Sequence, residues 1–154
     1  MSIKIVDTDC CGCRTCKTVC KFHAISVVTD AYGFEQMSVD TDKCWECGVC
    51  EKVCPMIHVE SGSERYSCGA AYALDTDVKF QGSSGGLFGV FARRIISEGG
   101  SVYGAAFDEN LKLKTTSADT LDELVPLYKS KYLLCDTDDK FIDIKAKLNN
   151  GKKI

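Results

Sequence analysis

A chain of 154 residues, 45% hydrophobic and 27% charged, suits one mid-sized folded domain or two small ones and excludes a disordered polar chain. Its formal charge of −3 argues against non-specific nucleic-acid binding, which needs a cationic face to displace counterions. No apolar run approaches bilayer-spanning length, and Met1-Ser-Ile-Lys-Ile-Val-Asp7 lacks the apolar core of a signal peptide, so no membrane span and a cytoplasmic location are expected.

Cysteine dominates the first third of the chain. Of eleven cysteines, nine fall between Cys10 and Cys54. The number is odd and no secretory signal precedes them, so metal binding is a stronger reading than a disulfide framework. Cys10, Cys13, Cys16 and Cys20 form C-x2-C-x2-C-x3-C, and Cys44, Cys47, Cys50 and Cys54 repeat it 34 residues later, followed by Pro55. A cubane cluster offers four iron corners, and each takes one thiolate. Three cysteines two residues apart wrap three corners, while the fourth ligand must come from elsewhere. Structural zinc sites use C-x2-C pairs separated by a dozen or more residues, so a zinc-stapled interaction domain is the distant alternative.

Residues 3–60 resemble the bacterial two-cluster 4Fe-4S ferredoxin, whose run of cysteines is this one. In that family the fourth cysteine of each run ligates the other cluster. The resemblance therefore implies Cys10, Cys13, Cys16 and Cys54 around one cluster and Cys20, Cys44, Cys47 and Cys50 around the second. Lys21 stands where the second run has Pro55; a cation there favours the reduced state, so the two potentials should differ. With eight cysteines available, His23 and His58 are not expected to be ligands. Cys11 and Cys68 read as free thiols.

Between the runs, residues 25–28 and 35–39 alternate around a turn at 30–33, where Gly33 can take positive φ, which predicts a β-hairpin. Short helices should follow each C-x2-C-x2-C loop. Phe22, Tyr32, Phe34 and Trp45 are candidates for shielding clusters from water, beside ordinary core packing. A module this small has little apolar core, so bound clusters should supply much of its folding energy.

Residues 61–64 read as a linker and 66–74 as a buried strand. Residues 81–86 form a glycine-serine turn opening a helix to about Glu98, with Leu87, Val90, Phe91 and Ile95 on one apolar face. Gly99 and Gly100 stop it. Residues 101–107 and 111–116 read as strands. Thr120-x-x-Glu123 is a capping box for a helix that Pro126 keeps short. Phe141, Ile144 and Leu148 mark another helix, closed at Gly151. The expected class is α+β: a ferredoxin-like two-cluster module of short hairpins and helices in 1–60, then a partial α/β domain in 61–154.

Tyr72-Ala73, Gly82 to Phe88, Gly99 to Ala105 and Ser130-Lys131-Tyr132 occur in an order that resembles the N-terminal part of the coenzyme F-420 hydrogenase/dehydrogenase beta-subunit family. That resemblance implies a flavin (FAD) enzyme exchanging a hydride with a deazaflavin and passing electrons to iron–sulfur clusters. On the residues alone, Ser83, Ser84, Gly85 and Gly86 at a helix start either cap the helix or accept an anion. The resemblance favours flavin phosphate there, with Lys131 as a second contact. Cys135 reads as a small polar filler where that family tends to have serine. Gly151-Lys-Lys-Ile154 looks like a helix stop and the first residues of a strand, so the second domain is expected to be truncated and FAD poorly retained.

Three readings follow: an electron-transfer module, a working flavin/deazaflavin oxidoreductase subunit completed by a partner chain (a flavoprotein subunit being one candidate partner), and the zinc domain. No catalytic residue is identifiable. Residues 1–60 carry six Lys/Arg against nine Asp/Glu, so a redox partner should dock through a basic patch.

Overall fold

A computed structural model of the chain describes residues 10–58, 67–137 and 140–154. It divides into two compact units, Met1–Glu64 and Arg65–Ile154. The expected linker at 61–64 lies outside the described residues.

In the first unit the element order is α1 (Thr15–Val19), β1 (Ile25–Thr29), β2 (Glu35–Val39) and α2 (Val49–Lys52). Alternating side chains make β1 and β2 an antiparallel pair, Ile25 opposite Val39 and Thr29 opposite Glu35. Asp30 closes the turn: its carboxylate accepts from the N–H groups of Tyr32 and Phe34, at 2.9 and 2.8 Å, and Gly33 takes φ +88°. The inward side chains Ile25 and Met37 pack with Cys16, flanked by Val27, Val39 and Ile57. So small a core leaves the cysteine loops as the main remaining constraint on this unit. Each short helix begins inside its cysteine run, one residue ahead of the third cysteine, rather than after it.

The second unit contains α3 (Thr76–Gln81), α4 (Leu87–Ser97), β3 (Val102–Phe107), β4 (Leu113–Ala118), α5 (Leu121–Leu124) and α6 (Lys140–Asn149), with a 3-10 turn at Val125–Leu127. α3 has no apolar periodicity to announce it; Asp75 makes it, accepting from the N–H groups of Asp77 and Val78. The capping box at Thr120 and Glu123 forms as the sequence suggests, and the helix gives way to the 3-10 turn at Pro126. β3 and β4 pair antiparallel, Val102 opposite Ala118. Ala92, Val102, Ala106, Ala118, Leu124, Leu127 and Tyr128 form the core, with Ile95 and Ile96 against it.

Three expectations for this unit are corrected. Residues 67–74 form no strand, and Leu74 is 91% exposed. Gly69-Ala70-Ala71 lacks the branched side chains that suit a pleated surface, and the Ala73 N–H is taken by the Gly85 carbonyl at 2.7 Å. α4 does not bury the stripe of Leu87, Val90, Phe91 and Ile95: Phe91 is 66% exposed, and the buried positions are Gly89 and Ala92. The helix turns its smallest residues inward because Val78 and Tyr128 approach so closely that a Cβ on Gly89 would lie 2.8 and 2.9 Å from them. The unit is also not α/β in topology. Among the described residues its strands form one antiparallel hairpin, and parallel pairing is limited to a bridge between Lys114 and Asp136. Mixed helices with small antiparallel hairpins make the chain α+β.

Residues following α6 bind back onto the unit. Gly151 takes φ +74°, and the Lys153 carbonyl accepts from the Ser101 N–H at 2.9 Å. Lys147 donates to the buried Ser101 hydroxyl, which itself donates to Asp119.

Candidate metal centre

The cysteine loops owe their shape to left-handed residues at matching places. Gly12 and Arg14 have φ of +68° and +59°; 34 positions on, Glu46 and Gly48 have +50° and +70°. Each loop therefore doubles back twice, bringing its first three cysteines round toward one side. Arg14, almost wholly buried, ion-pairs with Glu35 and so ties the first loop to the start of β2. The Gly12 N–H donates to the Cys10 sulfur at 3.4 Å, and the Thr15 hydroxyl to the Cys13 sulfur at 3.3 Å. Hydrogen bonds of this kind favour the thiolate, the form that binds metal.

Two cavities lie beside the loops. One, of about 280 Å³, is lined by Cys20, Cys44, Cys47 and Cys50 together with Phe22, Ile25 and Val39. The other, of about 20 Å³, is lined by Cys10, Cys11, Cys13, Cys16 and Cys54 with Met37. In each, the fourth cysteine of one run stands with three from the other run. The larger cavity combines a four-thiol donor set with apolar walls, a chemistry that fits a cubane cluster. The smaller has the donors but little space, so its sulfurs must spread to take the same group. Among the described residues, no three His, Cys, Asp or Glu side chains are grouped as ligands of a single metal ion.

Phe22 and Trp45 stack at the larger cavity, ring centroids 5.2 Å apart and planes within 4°. Trp45 is nonetheless 76% exposed, so the pair is a partial cover with one face in water. Tyr32 and Phe34, the other two candidate shields, are exposed on the hairpin and line neither cavity. Neither do His23 and His58.

Burial sets the protonation of the inner thiols. It pushes Cys16 up to about 11 and raises Cys50. Burial acts the same way on Cys13, but hydrogen bonds from the Thr15 hydroxyl and N–H outweigh it and bring that thiol below its ordinary value. A neutral buried thiol gives up a proton when it takes a metal, so binding here releases protons.

Sequence reasoning passed over Arg14 and treated Cys11 as an unattached thiol. The signal for Cys11 was its place inside the run; its place in the lining of the smaller cavity was not readable from spacing. Cys68 is exposed, and Cys135 lies 3.3 Å from the Thr115 hydroxyl.

The residues singled out in the second unit are engaged within the chain. Ser83 Oγ accepts from the Ser130 N–H at 2.8 Å, which brings the glycine-serine turn against the Ser130-Lys131 segment. A Cβ on Gly85 would lie 2.6 Å from the Ala71 carbonyl, and one on Gly86 would lie 2.7 Å from Lys79 Cα. These glycines thus admit neighbouring backbone. Ser84 takes φ +57°, and Lys131 Nζ donates to the carbonyls of Pro126 and Tyr128, at 2.8 and 2.6 Å. No described helix is long and apolar enough to cross a membrane.

Comparison with known proteins bears on the first unit. Residues 9–56 match the family model of the 4Fe-4S dicluster domain. The match covers both cysteine runs and supports iron–sulfur binding and an electron-transfer role for this ferredoxin-like part of the chain. A search of curated proteins found no match.

Proposed function

We propose that the chain relays single electrons through two 4Fe-4S clusters, one on Cys10, Cys13, Cys16 and Cys54 and the other on Cys20, Cys44, Cys47 and Cys50. The observation that carries this reading is the pair of cavities, each lined by three cysteines of one run and the fourth of the other. A bound cluster supplies a site that takes up and releases one electron without moving heavy atoms far. The chain's own residues do the rest. Arg14 and Glu35 hold the first loop to the hairpin. Gly12 and Thr15 donate to sulfurs. Phe22, Ile25 and Val39 exclude water from one side of the larger cavity. The exposed face of Trp45 lets a partner's redox centre approach that side.

The electron partner in this proposal is a flavin-dependent oxidoreductase of the coenzyme F-420 hydrogenase/dehydrogenase beta-subunit type. The ordered motifs of the second unit support that choice, as does the hydrogen bond that joins two of them, Ser83 to Ser130. Because Ser83, Gly85, Gly86 and Lys131 are occupied by the chain's own backbone, no flavin step is assigned to them.

Anaerobic purification tests the central claim. Brown protein with about eight irons and eight acid-labile sulfides per chain is expected from two cubanes. Stoichiometric zinc without sulfide would end the reading in favour of a zinc-stapled domain.

A further inference from the structure

Five thiols meet at the smaller cavity, four from the first loop and Cys54 from the second run, where a cubane has terminal positions for four. Cys11 lines that cavity with Cys10, Cys13, Cys16 and Cys54. Cys11 thus shares the cavity of the four assigned ligands while its own surface stays exposed.

The five are not equally fixed. Cys16 is packed with Ile25 and Met37 and cannot shift without repacking them. Cys10 and Cys11 are both exposed, at the open edge of the cavity. Their Cα atoms are neighbours, about 3.8 Å apart across one peptide. Gly12 follows at φ +68°, and with no Cβ it changes backbone hand at little cost. The adjustable end of the loop therefore carries two thiols within reach of one iron corner. The larger cavity has no such surplus: its cysteines are Cys20, Cys44, Cys47 and Cys50.

We propose that Cys11 is an interchangeable ligand for the iron corner assigned to Cys10, so the first cluster site has five ligands for four positions. The inference rests on the two-cluster reading above. Exchange needs no oxidant or reductant. The Cys11 thiol passes its proton to water and its sulfur binds iron, while Cys10 leaves as a thiolate and takes up a proton.

The test compares wild type, Cys11→Ala, Cys10→Ala, the double variant, and Cys44→Ala, which alters the matching position of the second run. All are purified without air and assayed for iron, sulfide and electron paramagnetic resonance. Cys11→Ala and Cys10→Ala should each keep the wild-type iron and sulfide, the latter with an altered reduced spectrum. The double variant should lose about half the iron, as should Cys44→Ala, which has no adjacent thiol to substitute. Should Cys10→Ala precipitate, Cys10→Val, which likewise offers iron no donor, carries the same comparison. Iron in Cys10→Ala as low as in the double variant would overturn the exchange and leave the two-cluster reading intact. So would a three-iron centre in Cys10→Ala, paramagnetic when oxidised. Wild-type protein without iron and sulfide would overturn both.

Discussion

Removing Cys20 separates crossed from local ligation most sharply when it is combined with a second loss. Cys20 closes α1, its N–H bonded to the Lys17 carbonyl, and lines the larger cavity with Cys44, Cys47 and Cys50. Cys20→Ala should therefore empty that site and halve the iron, from about eight to about four per chain. Adding Cys44→Ala damages the same site again, so the double variant should hold the same amount. Adding Cys16→Ala instead damages the other site, and the iron should fall toward none. Sulfide and iron assays on anaerobic protein give the stoichiometry, and circular dichroism checks that the hairpin survives. If Cys20→Ala with Cys16→Ala kept half the iron while Cys20→Ala with Cys44→Ala lost it all, ligation would be local to each run. The crossed topology would then be wrong.

Other outcomes are open to measurement. Gly89→Ala should destabilise the second unit, since overpacking against Val78 and Tyr128 costs about 1–3 kcal/mol and the helix gains at most ~1 kcal/mol; urea unfolding reads the difference. Asp119 lies below the ordinary carboxylate range, chiefly through the Ser101 hydroxyl and then Lys152. Its stabilisation is therefore present above that range and lost as pH falls through its own pKa, and Asp119→Asn should flatten the acid limb of a melting-temperature profile. FAD added to the cluster-loaded chain should bind weakly by calorimetry, because Ser83 and Lys131 are already bonded within the chain; one tight FAD per chain would contradict this. Association with a basic redox partner should slow as salt rises, and a rate flat in ionic strength would count against electrostatic docking.

The hairpin of the first unit was readable because alternation, an Asp30 turn and Gly33 all agree. Caps were equally legible where a side chain makes them, as at Thr120 and Glu123. The face of α4 was not. Periodicity counts large apolar residues, yet close approach by Tyr128 rewards Gly89 and leaves Phe91 on the surface. Residues 67–74 failed as a strand for a related reason: their backbone partner is a turn twelve residues on, Ala73 to Gly85, which no local pattern announces. At the cysteines, spacing identified the donor set, whereas the buried Arg14–Glu35 pair and the inclusion of Cys11 depend on how the loop folds back on β2.

The paired left-handed positions are filled by different residue types in the two loops. Each loop has glycine at one of the two positions, in opposite places: Gly12 matches Glu46, and Gly48 matches Arg14. Nothing lies within 4 Å of a Cβ at Gly48, so handedness, not space, selects glycine there. Glycine at 46 would remove a left-handed cost of about 1–2 kcal/mol, part of which returns as lost chain entropy. Glycine at 14 would instead forfeit the buried ion pair with Glu35. In the first loop the left-handed cost at Arg14 is thus offset by an anchor to the hairpin, which ties the cysteine run to β2.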